Sequence, residues 1–265
     1  MYYYLIDPKG YRGKRFEYDQ TRLLSLVTEY AVAGEVARST PLRTVEDLAL
    51  TALSHDIKTL VIIGGDETFT RVLRVVYGKP ITLGFIPLDP ESEVAKVLGV
   101  AESVEQAVGV IAKRLVAPID VVRVGQEFFI SAVRFDTGYG CELMVDESYR
   151  ISAGGIGGKI INTQVQPAKL DAPDKFIAHA SDRKIELVLA GKLSRLQSWR
   201  YRKLIEGNVY EGLPGSTVLH AQHIAVLSPE GMPLYVGHTV IAKAPVEVVV
   251  TDYSLKCVVG RNRHL

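Results

Sequence analysis

Apolar residues in the first half of the chain follow two alternating rhythms. Short unbroken runs have the length and β-branched content of buried strands: YYYLID at 2–7, IKTLVII at 57–63 and ITLGFIP at 81–87. GEVARST at 34–40 suggests another strand. Between these runs the apolar residues recur at helical spacing: QTRLLSLVTEYA (20–31), TVEDLALTAL (44–53), FTRVLRVVY (69–77), ESEVAKVL (91–98) and SVEQAVGVIAKRL (103–115). Thr44, with Asp47 three residues on, predicts an N-cap, and Gly78 (with Pro80 beyond it) and Gly99 predict helix stops. Strand–helix alternation of this kind implies βαβ units and a mostly parallel sheet covered by helices.

After about residue 118 the pattern changes. IDVVRVGQEFFISAVRF reads as two strands around a tight Gly125-Gln126 turn. KFIAHA, KIELVLAG, TVLHAQHIAVL, PLYVGHTVI, PVEVVVT and LKCVVG each read as a further strand, and only SRLQSWRYRKLIEG (194–207) reads as a helix. SAGGIGGK (152–159), with four glycines, predicts the most flexible stretch. The expected organisation is an α/β domain over 1–120 and a β-rich, sandwich-like domain over 121–265, with the closing strand returning to the first domain.

With 265 residues, 47% hydrophobic and 23% charged, the chain is long enough for one large core or two smaller ones. Thirty-one basic residues against 30 acidic leave a net charge of +1, which gives no general attraction to nucleic acid or anionic lipid. Membrane contact is therefore expected to be peripheral at most. Cys141 and Cys257 form neither a metal spacing nor a disulfide framework, so they read as packing thiols. MYYYLIDPKG lacks the character of a signal peptide and no apolar run approaches 18 residues, so the expectation is a cytoplasmic protein.

Two predicted strand ends carry unusual chemistry, GGDET at 64–68 and PLDPESEVA at 87–95. In open α/β sheets ligands bind at the carboxyl ends of strands, and helices starting there aim N–H groups at the crevice. Gly64 and Gly65 would let a phosphate approach the main chain, Asp66 would hold a metal or orient a hydroxyl, and Thr68 would offer its hydroxyl. The plainer reading is a strand-to-helix turn capped by Asp66.

VIIGGDETFTRVL resembles the Gly-Gly-Asp-Gly-Thr motif of diacylglycerol and sphingosine kinases, a lipid-kinase family sharing its fold with NAD kinases. GFIPLDPESEVAKVLGV (84–100) is similar to that family's proline-leucine-Gly-Thr-Gly-Asn-Asp loop, beginning at Pro87. Further stretches at 118–143, 184–208 and 233–250, and the closing SLKCVVG, follow the family's order apart from a shortened part around 144–175. The resemblance implies a Rossmann-like domain plus a β-sandwich, with ATP and Mg²⁺ held between them and the γ-phosphoryl passed to a lipid hydroxyl. By position, Thr40 corresponds to a threonine near the adenosine, and Gly64, Gly65, Asp66 and Thr68 to the phosphate motif. His238 falls on the catalytic glutamate of the family's Asp-Gly-Glu, after Val236 and Gly237.

The departures from that pattern decide the expected function. Glu67 replaces a glycine; if that position has φ > 0 the side chain costs roughly 1–2 kcal/mol. A carboxylate about 4 Å from a phosphate oxygen repels it by about 4 kcal/mol at an effective dielectric near 20, about a thousandfold in binding. In the second loop Asp89, Pro90, Glu91, Ser92 and Glu93 stand for Gly-Thr-Gly-Asn-Asp. That exchange removes both glycines and a hydroxyl and leaves Asp66, Glu67, Asp89, Glu91 and Glu93 as a poor triphosphate cradle.

Other readings stand beside each of these. Asp89 would cap a helix, with Glu91 and Glu93 in its first turn, or the cluster would hold a divalent cation, with Asp66 and Glu67 as metal ligands. His238 would serve as a general base or simply occupy a strand; His220 and His223 read as strand residues on opposite faces, and Trp199 as packing. The leading expectation is a diverged lipid-kinase-like protein, impaired in phosphoryl transfer, binding a lipid or other small molecule in the interdomain cleft. One alternative is an active ATP- and Mg²⁺-dependent lipid kinase. Another is a non-enzymatic partner-binding protein, for instance a homodimer; no nucleic-acid partner is expected.

Overall fold

The computed structural model describes residues 1–11, 16–55, 57–90, 92–100, 103–138, 140–163 and 179–261. Glu91 and most of KFIAHA (175–180) fall outside that set. The chain forms two compact units: Met1–Ile119 with Tyr253–Leu265, and Asp120–Asp252.

The first unit alternates strand and helix: β1 (Tyr2–Ile6), α1 (Phe16–Glu29), β2 (Gly34–Arg38), α2 (Val45–Ser54), β3 (Thr59–Gly64), α3 (Asp66–Val76), β4 (Thr82–Pro87), α4 (Glu93–Leu98) and α5 (Val104–Lys113). The strands pair in parallel in the order β2-β1-β3-β4, and Lys256 and Cys257 from the end of the chain extend the sheet by pairing with Thr82 and Leu83. β3 is buried at every position, as a central parallel strand covered on both faces must be. α3 sends Phe69, Val72, Leu73 and Val76 into the same core, where Phe69 meets Phe85 edge to face with centroids 5.4 Å apart. Each such fully buried side chain contributes about 1.5–3 kcal/mol. The capping box predicted at Thr44 and Asp47 is present.

The second unit is antiparallel. One sheet runs β12 (Thr217–Ala221), β11 (Ile185–Gly191), β10 (Gly155–Ile161), β7 (Ala132–Phe135), β14 (Pro233–Val236), β15 (Thr239–Lys243). The other joins β16 (Val246–Val258), β13 (His223–Ser228), β8 (Cys141–Val145) and β9 (Tyr149–Ala153), with β5 (Val116–Val124) beside β16 and β6 (Glu127–Phe129) paired to β5. Val133, Phe135 and Ile160 of the first sheet share one core with Leu143, Val145, Ile224 and Val226 of the second, which makes the unit a sandwich. An α/β unit and a two-sheet β unit are the fold class that the pattern predicts.

Several elements differ from expectation. TVLHAQHIAVL is two strands in different sheets: Asp146 Oδ1 accepts from the amides of Gln222 and His223, each at 2.9 Å, and turns the chain between them. His220 and His223 thus lie on separate strands, β12 and β13. PVEVVVT and LKCVVG are one continuous strand, β16. SAGGIGGK belongs to β9 and β10, where glycine serves packing: a Cβ on Gly158 would lie 2.3 Å from the Phe135 ring. The single expected helix at 194–207 divides at Tyr201 into α6 (Arg195–Arg200) and α7 (Arg202–Glu206), and Trp199 is 77% exposed rather than packed.

Candidate functional site

β3 and β4 lie side by side with Gly64 opposite Pro87, so both motif loops leave the same end of the sheet. The Leu88 amide donates to the Gly64 carbonyl at 2.9 Å and keeps the loops adjacent. Gly64 is required by close approach, since a Cβ there would come 2.9 Å from the Thr68 side chain. Gly65 is the N-cap of α3 in an extended conformation (φ −97°) open to any residue, and no side chain caps that helix.

Asp66 does not cap its own helix. Its Oδ1 accepts from the Ser92 hydroxyl and its Oδ2 from the Glu93 amide at 2.9 Å, at the start of α4. Ser92 Oγ accepts from the Ala95 amide at 3.0 Å, so Ser92 is the N-cap of α4, the place expected for Asp89. Asp89 contributes its main-chain carbonyl to the Ser92 amide at 3.2 Å. Burial pushes the Asp66 carboxyl above the usual carboxylate range, partly offset by these donors. The acidic second loop is therefore fastened onto Asp66 by its own serine and amides.

Thr68 is equally committed. Its hydroxyl donates to Asp7 Oδ2 at 2.8 Å, and both residues are buried. Asp7 Oδ1 accepts from Ser39 Oγ at 2.9 Å, so one carboxyl group ties the ends of β1 and β2 to the first turn of α3. Sequence reasoning missed Asp7. The signal was available: an Asp-Pro directly after a buried strand, the same strand-end chemistry as the two motifs that were noticed.

The other expected residues are less engaged. Glu67 is exposed in the first turn of α3 with ordinary helical backbone, so the φ > 0 strain does not arise: the helix begins at Asp66, three residues before the predicted start. Its charge lies in the first turn of α3. Glu93 and Asp89 are half-buried and Pro87 is buried. Thr40 is exposed, its Oγ1 accepting from the Arg43 amide at 3.1 Å. Arg71 on α3 is held in a two-pronged pair with Glu46 at 2.7 and 2.6 Å.

At the motif each Asp66 oxygen accepts a hydrogen bond and the Thr68 proton is given to Asp7. Among the described residues, no group of three or more His, Cys, Asp or Glu side chains could hold a metal ion.

An apolar pocket of about 120 Å³ lies at the same strand ends, lined by Tyr11, Phe16, Leu23, Ile63, Pro87 and Leu88 among others. Gln20 also lines it, and Gln20 Oε1 is buried without a hydrogen-bond partner.

His238 belongs to the second unit, where Gly237 and His238 form the turn between β14 and β15 instead of continuing a strand. It lines a polar hollow of about 420 Å³ with Arg134, Asp136, Tyr210 and Tyr235. Arg134 donates to Asn208 Oδ1 at 3.1 Å and to the Gly237 carbonyl at 3.2 Å and stacks over Tyr235, so it pins the turn that carries His238. Burial pushes the Tyr210 hydroxyl up.

A parallel α/β sheet with paired motif loops, joined to a β-sandwich unit, defines a protein of the lipid-kinase fold class. Residues 2–124 match the diacylglycerol kinase catalytic domain family, which identifies that part of the chain as diacylglycerol-kinase-like. A crystal structure of a diacylglycerol kinase from Bacillus anthracis str. Sterne superposes with a TM-score of 0.75 at 13% identity, over 98% of this chain and 97% of that one. Two more chains from that organism, described provisionally as diacylglycerol kinases, superpose at 0.78 with 12% and 13% identity and the same coverage.

Proposed function

We propose that the protein is a diverged diacylglycerol-kinase-like protein whose nucleotide loops no longer support ATP-dependent phosphoryl transfer, and which binds a lipid-like ligand. The observation that carries this reading is the Asp66 clamp. The motif carboxylate that would place a metal spends both oxygens on Ser92 and Glu93 at the start of α4. Turning it to Mg²⁺ would cost the hydrogen bonds from the Ser92 hydroxyl and the Glu93 amide, and the Glu67 and Glu93 charges would oppose a triphosphate.

The apolar pocket supports the ligand class. Its lining suits an alkyl segment, and the unpartnered Gln20 Oε1 suits a ligand carrying a hydroxyl or amide donor. A mono-acyl glycerol or a long-chain alcohol has both features.

The active-kinase reading is favoured by the match over residues 2–124 and by His238 lying in a hollow with Asp136 and Arg134. One assay separates the two. Incubation with γ-labelled ATP, Mg²⁺ and diacylglycerol or a total lipid extract transfers no label if the loops are spent, whereas labelled phospholipid abolished by Asp66→Asn would establish the kinase. Mono-acyl glycerol is expected to raise the melting temperature, and Gln20→Leu to remove that shift.

A further inference from the structure

The connection after β11 carries a surface that neither the fold nor the proposed site uses. Residues 192–203, KLSRLQSWRYRK, contain Lys192, Arg195, Arg200, Arg202 and Lys203 and no acidic residue, in a chain whose overall charge is only +1. All five cations are exposed. Arg202 is paired with Glu206 at 2.7 Å; the other four have no acidic partner among the described residues.

Apolar side chains in this segment divide by direction. Leu193, Tyr201, Leu204 and Ile205 pack inward against the core around Val188, Tyr210 and Leu213. Leu196 and Trp199 do the opposite, being 74% and 77% exposed. Three apart on α6, they lie on one face of the turn. The turn is preformed by a capping box between Ser194 and Gln197, so docking would not have to order it.

We propose that α6 and its flanks are a docking surface for an anionic lipid bilayer. Trp199 would sit at the headgroup level, Leu196 would enter the acyl boundary, and Lys192, Arg195, Arg200 and Lys203 would meet the lipid phosphates. The paired outward Leu and Trp select a bilayer over a nucleic acid, whose phosphates would use the cations and leave Leu196 without a partner. This inference stands on the exposed surface and does not depend on the function proposed above.

Trp199 is the chain's only tryptophan, so its emission reports directly from this surface. Vesicles containing phosphatidylserine are expected to shift the emission to the blue and to co-sediment the protein. Phosphatidylcholine vesicles should do so far less, and added salt should reverse the effect. Arg195→Glu, Arg200→Glu and Lys203→Glu together should lower partitioning about a hundredfold. Leu196→Ser should lower it severalfold, and an unchanged thermal melt would show that both variants are folded. Unshifted emission with no co-sedimentation on phosphatidylserine vesicles would overturn the proposal. So would equal binding by the charge-reversed variant, or an emission shift produced by single-stranded nucleic acid and not by vesicles.

Discussion

At the scale of single residues, buried carboxylates carry most of the site's logic. Asp7 is buried, and Thr68, Ser39 and the Lys9 amide donate to its carboxyl group. Removing one donor leaves part of that carboxylate unsatisfied, so Thr68→Val is expected to cost about 1–3 kcal/mol of stability, read from urea denaturation. Glu186 represents the opposite solution. It is fully buried on β11, its oxygens find no partner at good hydrogen-bond geometry, and the half-exposed His220 ring lies 3.5 Å away. Burial, with the Asp182 charge adding to it, pushes its carboxyl from the ordinary 4.5 up to about 8. The folded state therefore binds the proton more tightly than the unfolded chain. That contribution is fully present below pH 4.5 and is lost as pH rises towards about 8. The melting temperature of the wild type relative to Glu186→Gln should fall across that window, and a pH-independent difference would show that Glu186 is charged in the fold.

At the scale of elements, the cap of α4 is the point where the two motif loops become one structure. Ser92→Ala removes both the N-cap acceptor of Ala95 and the hydroxyl on Asp66. It should destabilise the fold by about 1–3 kcal/mol and speed hydrogen exchange at the α4 amides ahead of the rest of the sheet. The pattern of apolar residues was sufficient for β1, β3, β4 and the helices between them, because a strand covered on both faces and an amphipathic helix each leave a periodic trace. It was insufficient where one tertiary contact decides. Asp146 turning Gln222, the Arg134 grip on the turn at His238, and the outward stance of Trp199 leave no local periodicity. The cap of α4 was misplaced for the same reason: Asp89 and Ser92 are both good cap residues, and only the position of Asp66 selects the serine.

At the scale of the whole molecule, family likeness and site chemistry point in different directions. The match over residues 2–124 and the superpositions at 12–13% identity reflect what sheet order and core packing preserve. Chemistry resides in the few strand-end residues, which are free to change beneath an unchanged sheet. Acidic replacements at Glu67, Asp89 and Glu93 were legible in the sequence. The internal use of Asp66 and Thr68 was not, since a donor's partner is a matter of three-dimensional placement. Restoring glycine at position 67 together with the Gly-Thr-Gly-Asn-Asp sequence at 89–93 should recover nucleotide affinity that neither change restores alone, because repulsion and the Asp66 clamp act together.

The central claim, that the phosphate loops are closed on themselves, is tested most directly by calorimetric titration of the unaltered protein with ATP in the presence and absence of Mg²⁺. The account predicts no saturable heat in either case and no change in melting temperature on adding EDTA. Saturable, Mg²⁺-dependent binding that disappears in Asp66→Asn would contradict it.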